Sequence, residues 1–373
     1  MKYIAVGDIH LNHPRTPTLH ICNSFRKHIL NEKNKDLDVL FIEGDLFDGL
    51  MDLTSKEFPV VLTFFNDLLN YCYFNNIKLR VLYGTPSHDR SQPEILVNLN
   101  DIRDNKADLR YFKVLDVEYL PEENKHVLYI PDEWVNDHNE LERQIEEKLS
   151  SLGISQVDIA ILHGQFKYQF KDIPYTGFYF KEEYFLPLVK GFIHVGHYHT
   201  YNPFDRILPA GSFERLSHGE EESKGFILVK DNTYVFIHNT DAYTYKTITI
   251  KSNTTLEQLD KHIRQCPLNS HIRIVLSKTH PFNLTFGDLK LRYMDYNITK
   301  KTKDDSESSL TTYIQPDDIL YQDNPFTIDA DIGSIVLRYI LEKTTLTDQE
   351  NIKLKNYLSV FNQTTVNHSE NTL

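Results

Sequence analysis

Asp8 and His10, Asp45, His88, His163, and the pair His197 and His199 are carboxylates and imidazoles that each fall where a strand-like run ends. Any one of these fragments occurs by chance in many loops. Their order along the chain, all at strand ends, is what points to a shared site. Oxygen and nitrogen donors without a thiolate suit Mn²⁺, Fe²⁺ or Zn²⁺ in a reactive centre better than a structural zinc site, which favours cysteine. Two such ions about 3.5–4 Å apart, bridged by one carboxylate, polarise a phosphate and generate a hydroxide nucleophile near neutral pH. The chemistry expected is phosphoester hydrolysis.

The elements that must position these residues are short β-branched or aromatic runs stopped by glycine or a turn residue. Ile4–Val6 runs into Gly7-Asp8-Ile9-His10, Val39–Ile42 into Gly44-Asp45-Leu46-Phe47-Asp48, and Leu79–Tyr83 into Gly84-Thr85-Pro86-Ser87-His88-Asp89. Ile159–Leu162 stops at His163-Gly164, and Phe192–Val195 at Gly196-His197-Tyr198-His199. In open α/β sheets ligands bind outside the carboxyl ends of the strands, so the five clusters can converge on one crevice. Apolar positions at helical spacing predict helices over residues 19–30 and 57–74. The second is unusually apolar. It either covers the sheet alone or also meets a second subunit.

Composition bounds what surrounds the site. With 373 residues and 40% hydrophobic content, the chain has room for two or three domains with a real core. No apolar stretch approaches the roughly 20 residues of a membrane span, and the N-terminal run breaks at Gly7-Asp8, so a cytoplasmic protein is expected. Cys22, Cys72 and Cys266 lie far apart without a Cys-x-x-Cys, so neither a disulfide framework nor a zinc knuckle is indicated. The formal net charge of −13 argues against gripping nucleic acid by bulk positive potential. A DNA substrate would need metals and a partner to hold it.

Alternating helices and strands to about residue 200 predict a layered α/β domain, closed by a hairpin over 225–238 with an Asp231-Asn232 turn. A small βαβ-type unit spans 241–298, with strands at Lys246–Ile250 and Ile272–Leu276 and a helix near 255–265. Residues 299–332 open with the polar, aperiodic 299–311 and read as a linker. Residues 333–373 carry a helical hairpin, whose second helix opens on Thr347-Asp348-Gln349-Glu350 and presents Leu354, Tyr357, Leu358 and Phe361 as one stripe. That stripe folds back on the protein or docks on a partner. His20, His28, His126, His194, His218, His238 and His271 have no partner cluster and read as structural.

Taken in order, Gly-Asp-x-His, Gly-Asp-Leu-Phe-Asp, Ser-His-Asp, His-Gly and Gly-His-x-His resemble the calcineurin-like metallophosphoesterase superfamily. Leu208-Pro209-Ala210-Gly211-Ser212-Phe213-Glu214-Arg215-Leu216-Ser217, followed by Lys224-Gly225-Phe226, is similar to the matching segment of SbcD-type DNA repair nucleases, including those of tailed phages. The motifs end near residue 226, though the domain order resembles that family along nearly the whole chain. The resemblance implies a four-layer α/β sandwich (residues 1–240), a small α+β capping domain and a C-terminal helical hairpin.

It further implies that Asp8, His10 and His199 hold one metal, that His163 and His197 hold the other, and that Asp45 bridges them. His88 falls at the family's catalytic histidine, outside the metal shell, and Asp48 is either a second functional residue or a loop cap. Where the family reads Gly-Asn-His-Asp, with the asparagine binding the second metal, Ser87 occupies the asparagine position and the turn is two residues longer. The expected cofactor is a pair of divalent ions, Mn²⁺ ahead of Mg²⁺. The implied protein is a homodimeric DNA nuclease subunit whose hairpin binds an SbcC-type ATPase. A stand-alone phosphatase or small-molecule phosphodiesterase, and a metal-bound non-catalytic scaffold, are the alternatives. The segment Lys167-Tyr168-Gln169-Phe170-Lys171, with Tyr175, Phe178, Tyr179 and Phe180, mixes aromatics with lysines as single-strand stacking surfaces do, or packs as core or lid.

Overall fold

A computed structural model describes residues 1–132, 134–170 and 177–303. Most of the expected linker and all of the expected hairpin lie outside the described residues.

Six strands form the first sheet: β1 (Lys2–Val6), β2 (Val39–Ile42), β3 (Lys78–Leu82), β4 (Leu109–Phe112), β10 (Gly225–Lys230) and β11 (Thr233–His238), in the order β11-β10-β1-β2-β3-β4. The strands β1 to β4 are parallel, and the β10–β11 hairpin adds antiparallel beside β1. Asp231 and Asn232 at its turn have φ of 50° and 60°, the left-handed pair that a two-residue turn of type I′ needs. A second sheet takes β5 (Asp116–Leu120), β6 (Lys125–Ile130), β7 (Ile159–Gly164), β8 (Ile193–His197) and β9 (Ile207–Leu208), parallel from β6 onward.

Side chains alternate across a strand, so each central strand feeds two cores. Ile4, Val6, Leu40, Ile42, Leu79 and Val81 pack beneath helices α1 (Thr18–His28) and α2 (Glu57–Phe74). Their neighbours Tyr3, Ala5, Val39 and Phe41 join Val127, Tyr129, Ile159 and Ile161 of the other sheet in a shared core. Leu128, Ile130, Ala160, Leu162, Ile193 and Val195 face outward to α5 (His138–Ser151) and α6 (Glu182–Leu188). The order is helix, sheet, sheet, helix. Burial on both faces is why these strands read as continuous apolar runs. The shared core also carries polar cross-links: Arg80 of β3 donates to Glu118 of β5 at 2.8 Å, and the Tyr129 hydroxyl donates to the same carboxylate at 3.1 Å.

Helix α2 begins and ends where its apolar spacing predicts. It buries Phe58, Val61, Leu62, Phe64, Phe65, Leu68, Leu69 and Cys72. Two further short helices, α3 (Pro86–Asp89) and α4 (Glu94–Asp101), follow β3.

The small unit after residue 241 is larger than the expected βαβ. It runs β12 (Tyr245–Thr249), α7 (Leu256–Ile263), β13 (His271–Ser277), α8 (Phe286–Arg292) and β14 (Asn297–Lys303), an all-parallel three-stranded sheet. Thr255 caps α7 in a capping box with Gln258. Strand β14 corrects the expected linker boundary, because residues 299–303 pair with β13 from Arg273↔Thr299 to Ser277↔Lys303. An edge strand exposed on both faces over residues 299–303 tolerates lysines, which is why its sequence looks like a linker. No helix among the described residues is long and apolar enough to cross a membrane.

Candidate metal centre

The loops after β1 and β2 are laced together before they present any side chain. The amides of Ile9 and His10 both donate to the Asp45 carbonyl, at 2.9 and 3.0 Å, and Leu11 donates to Leu46 at 2.9 Å. This crossing holds Asp8, His10 and Asp45 at φ of 51°, 52° and 45°, and His197 stands at 97°. Left-handed backbone at four non-glycine residues stores strain of about 1–3 kcal/mol each, which clusters at functional sites. Gly44 has φ +94°, and a Cβ there would fall on the His163 ring.

Eight of the expected residues meet at the carboxyl ends of five strands, in three groups of which two share His10. Asp8, His10 and His199 form one, Asp45, His163 and His197 a second, and His10, Asp48 and His88 a third. Each group can hold a metal ion. Asp45 stands between the first two, with Oδ2 at 3.8 Å from His10 Nε2 and Oδ1 at 3.3 Å from His163 Nε2. Both Asp8 carboxylate oxygens accept from the His197 amide, at 2.9 and 3.0 Å, tying β1 to β8 across the sheets.

The ring orientations fit a cation. Nε2 of His10 and Nε2 of His199 face each other at 3.1 Å. Two lone pairs at that distance repel, so a proton or a metal ion must sit with them. The far nitrogens are held: His10 Nδ1 lies 2.9 Å from Asp48 Oδ1, and His163 Nδ1 donates to the Glu43 carbonyl at 2.6 Å. That leaves Nε2 of each ring for the centre, as in metal sites whose ligands are oriented by a second hydrogen bond. His199 Nδ1 lies 3.6 Å from Glu220, which is gripped in turn by the buried Lys224 at 2.9 Å.

Electrostatics say the same. Burial disfavours charge on His10, but the Asp48 contact and the Asp45 and Asp8 carboxylates outweigh it and push its pKa up to about 9. His163 is buried too, yet Asp45 and Asp8 hold it well above the ordinary histidine range. Burial opposes charge on Asp45 as well, and the His163 and His10 rings still pull its carboxyl far down. The metal-free centre thus attracts positive charge. His88 behaves oppositely: burial lowers its pKa, with Asp45 and Asp48 only partly offsetting that, so it rests neutral.

Ser87 is not where the sequence placed it. Thr85 is the N-cap of α3, with Pro86 at the first helical position, and this turn carries Ser87 outward, where it is exposed. Thr85 takes the place expected of Ser87: its Oγ1 lies 3.2 Å from Asp45 Oδ2, 3.3 Å from His197 Nδ1 and 3.4 Å from His163 Nε2. Its amide donates to Asp45 Oδ1 at 2.6 Å. Asp89 braces the turn, accepting from the amides of Phe47 at 3.0 Å and Gly84 at 2.8 Å. Asp132, after β6, was not anticipated either. It lies 4.0 Å from His197 Nδ1. No motif marks it, since Pro-Asp is an ordinary loop opening.

The segment Leu208–Ser217 braces the site. Ser212 bridges to Gly7 and donates its amide to the His199 carbonyl at 3.2 Å. Arg215 donates to the Glu222 and Ala242 carbonyls at 3.0 and 3.1 Å, joining the site to the small unit. Of the background histidines, His194 is fully buried between the sheets at 3.0 Å from the Tyr3 hydroxyl, and His28 pairs with Asp241 at 2.6 Å.

No protein-family model matches the chain, and no curated protein is similar enough to count as a relative.

Proposed function

We propose that the protein is a metal-dependent DNA nuclease subunit of the SbcD type, built on a calcineurin-like four-layer sandwich. The observation that carries this is Asp45, placed between two His/Asp groups at the carboxyl ends of strands from two facing sheets. Asp8, His10 and His199 would hold one divalent ion, His163 and His197 a second, with Asp45 shared and the Thr85 hydroxyl beside the second. Mn²⁺ suits this oxygen and nitrogen set, with Mg²⁺ the alternative. Bound there, the ions would supply Lewis-acid polarisation of a phosphate and acidify an attacking water.

The chain's own residues supply the rest. His88 sits against His10, ring centroids 5.1 Å apart, and its Nδ1 is 3.6 Å from Asp48. A neutral imidazole there steadies phosphate oxygens as charge develops, or assists the leaving oxygen. Asp48 acts through both rings: it fixes the His10 orientation and steers His88. The acidic balance fits a nuclease that receives DNA from an ATPase bound at residues 333–373, with a second copy completing the assembly.

The test is incubation with Mn²⁺ and either linear DNA or a nitrophenyl phosphodiester, with His88→Ala as control. DNA cutting lost in the variant supports the proposal. Cleavage of only the small ester points to a stand-alone phosphodiesterase, and none with an SbcC-type ATPase present points to a scaffold. With that ATPase, deleting residues 333–373 should cost more DNA cutting than reversing lysine charges near the site, and equal activity of truncated and full chains overturns the partner assignment.

A further inference from the structure

Beside the second group of ligands lies a cavity of about 460 Å³, and Thr85, His163 and His197 line both. Whatever fills the cavity therefore abuts the centre. Its other walls include the aromatic and apolar Trp134, Val135, Phe178 and Phe180, with the amides Asn136 and Gln165 among them and Asp132 at the metal side. Among the described residues, no lysine or arginine lines it. A cavity of this size takes far more than a few waters and falls within the range of small-molecule sites, roughly 300–1,000 Å³. Asp132 disfavours a second phosphate against that wall.

The aromatic walls are pinned. The Trp134 indole Nε1 donates to Gln144 Oε1 of α5 at 2.7 Å. The Phe178 ring lies 4.8 Å from His138, whose Nε2 is 2.8 Å from the Tyr179 carbonyl, so this strip is fastened to the start of α5. Phe180 is 4% exposed, and its amide donates to the Gln165 carbonyl at 2.7 Å. Its ring sits so close to Gly164, at φ +141°, that a Cβ there would come within 2.8 Å of it. Side chains already held lose little freedom on binding, which favours a rigid, flat ligand.

We infer that this cavity is a nucleobase pocket: it receives the base of the nucleotide whose phosphate sits at the metal centre, between Trp134 and Phe178, and thereby fixes the register of the scissile phosphate. Aromatic faces accept any base by stacking, so the pocket orients a nucleotide with little sequence preference. Asn136 and Gln165 edge the cavity with amides suited to base edges. The inference rests on the nuclease reading only for what the phosphate belongs to.

Trp134 is the one tryptophan of the chain, so its fluorescence reports on the pocket without any turnover. The full-length protein with Mg²⁺ is titrated with deoxyadenosine 5′-monophosphate, with deoxyribose 5-phosphate and with inorganic phosphate. Quenching by the nucleotide, with binding tighter than that of the abasic sugar phosphate by about 5- to 150-fold, is expected from one base stack. Phe178→Leu keeps apolar volume but loses the flat face, and it should erase most of that preference while leaving the abasic compound's affinity unchanged. Equal affinity for nucleotide and abasic phosphate, or nucleotide binding without quenching, overturns the pocket and leaves the nuclease reading standing. Base-dependent quenching in a protein that cuts no DNA upholds the pocket and removes that reading.

Discussion

Raising the pH from about 6.5 to about 8.5 should tighten Mn²⁺ binding by about a hundredfold for each proton displaced. In the metal-free centre burial works against a charged His10, but Asp48, Asp45 and Asp8 raise its pKa to about 9. Below that value the ring carries a proton that an incoming cation must displace. The sign is fixed: affinity grows as pH rises, by about tenfold or 1.4 kcal/mol per unit, and levels off above the His10 pKa. His163, also raised well above its ordinary range, adds a second proton and steepens the dependence. Because His10 is 1% exposed and His163 fully buried, solvent screening does little to soften the effect. Titration calorimetry in two buffers of different ionisation enthalpy counts the protons directly, with one to two per chain expected near neutral pH. Asp48→Asn removes the nearest carboxylate and should move the plateau to lower pH. Affinity that stays within threefold across the range, with no proton released, would refute the reasoning.

Lys224→Met leaves Glu220 and Glu222 without the ammonium that now lies 2.9 and 2.7 Å away, and thermal or urea unfolding should report a loss of about 3–5 kcal/mol. Asp89→Ala strands the amides of Phe47 and Gly84, at about 1–3 kcal/mol each, and should weaken metal binding because the turn carrying Thr85 loosens. Asp89→Asn, which keeps one acceptor, should cost about half as much in the same unfolding experiment. Phe65→Ala opens the core between α2 and the first sheet and should destabilise by about 3–5 kcal/mol without changing metal stoichiometry.

The strand-end ligands were legible because a parallel strand buried on both faces is an apolar run with a sharp end, and the donors begin at that end. Val39–Ile42 and helix α2 were read to the residue for that reason and for the clean helical spacing of Phe58 through Cys72. What covers each strand face was not legible, since an apolar run is the same whether a helix or a second sheet lies on it. The misplacement of Ser87 has a local cause: adjacency to His88 suggested its register, whereas Pro86 starts a helical turn and makes Thr85 the last residue before it. Asp132 and Glu220 reach the site from separate loops by tertiary packing, which no local spacing encodes. The lysines of β14 hid a strand because propensity and patterning weaken at an exposed edge.

Electron paramagnetic resonance of the Mn²⁺-loaded full-length protein, with metal content measured on the same sample, tests the central claim most directly. A centre in which Asp45 is shared by two ligand groups predicts two Mn²⁺ per chain and an exchange-coupled spectrum, which Asp45→Ala should replace with that of isolated ions. A single isolated Mn²⁺ per chain, or a coupled spectrum that survives Asp45→Ala, would contradict it.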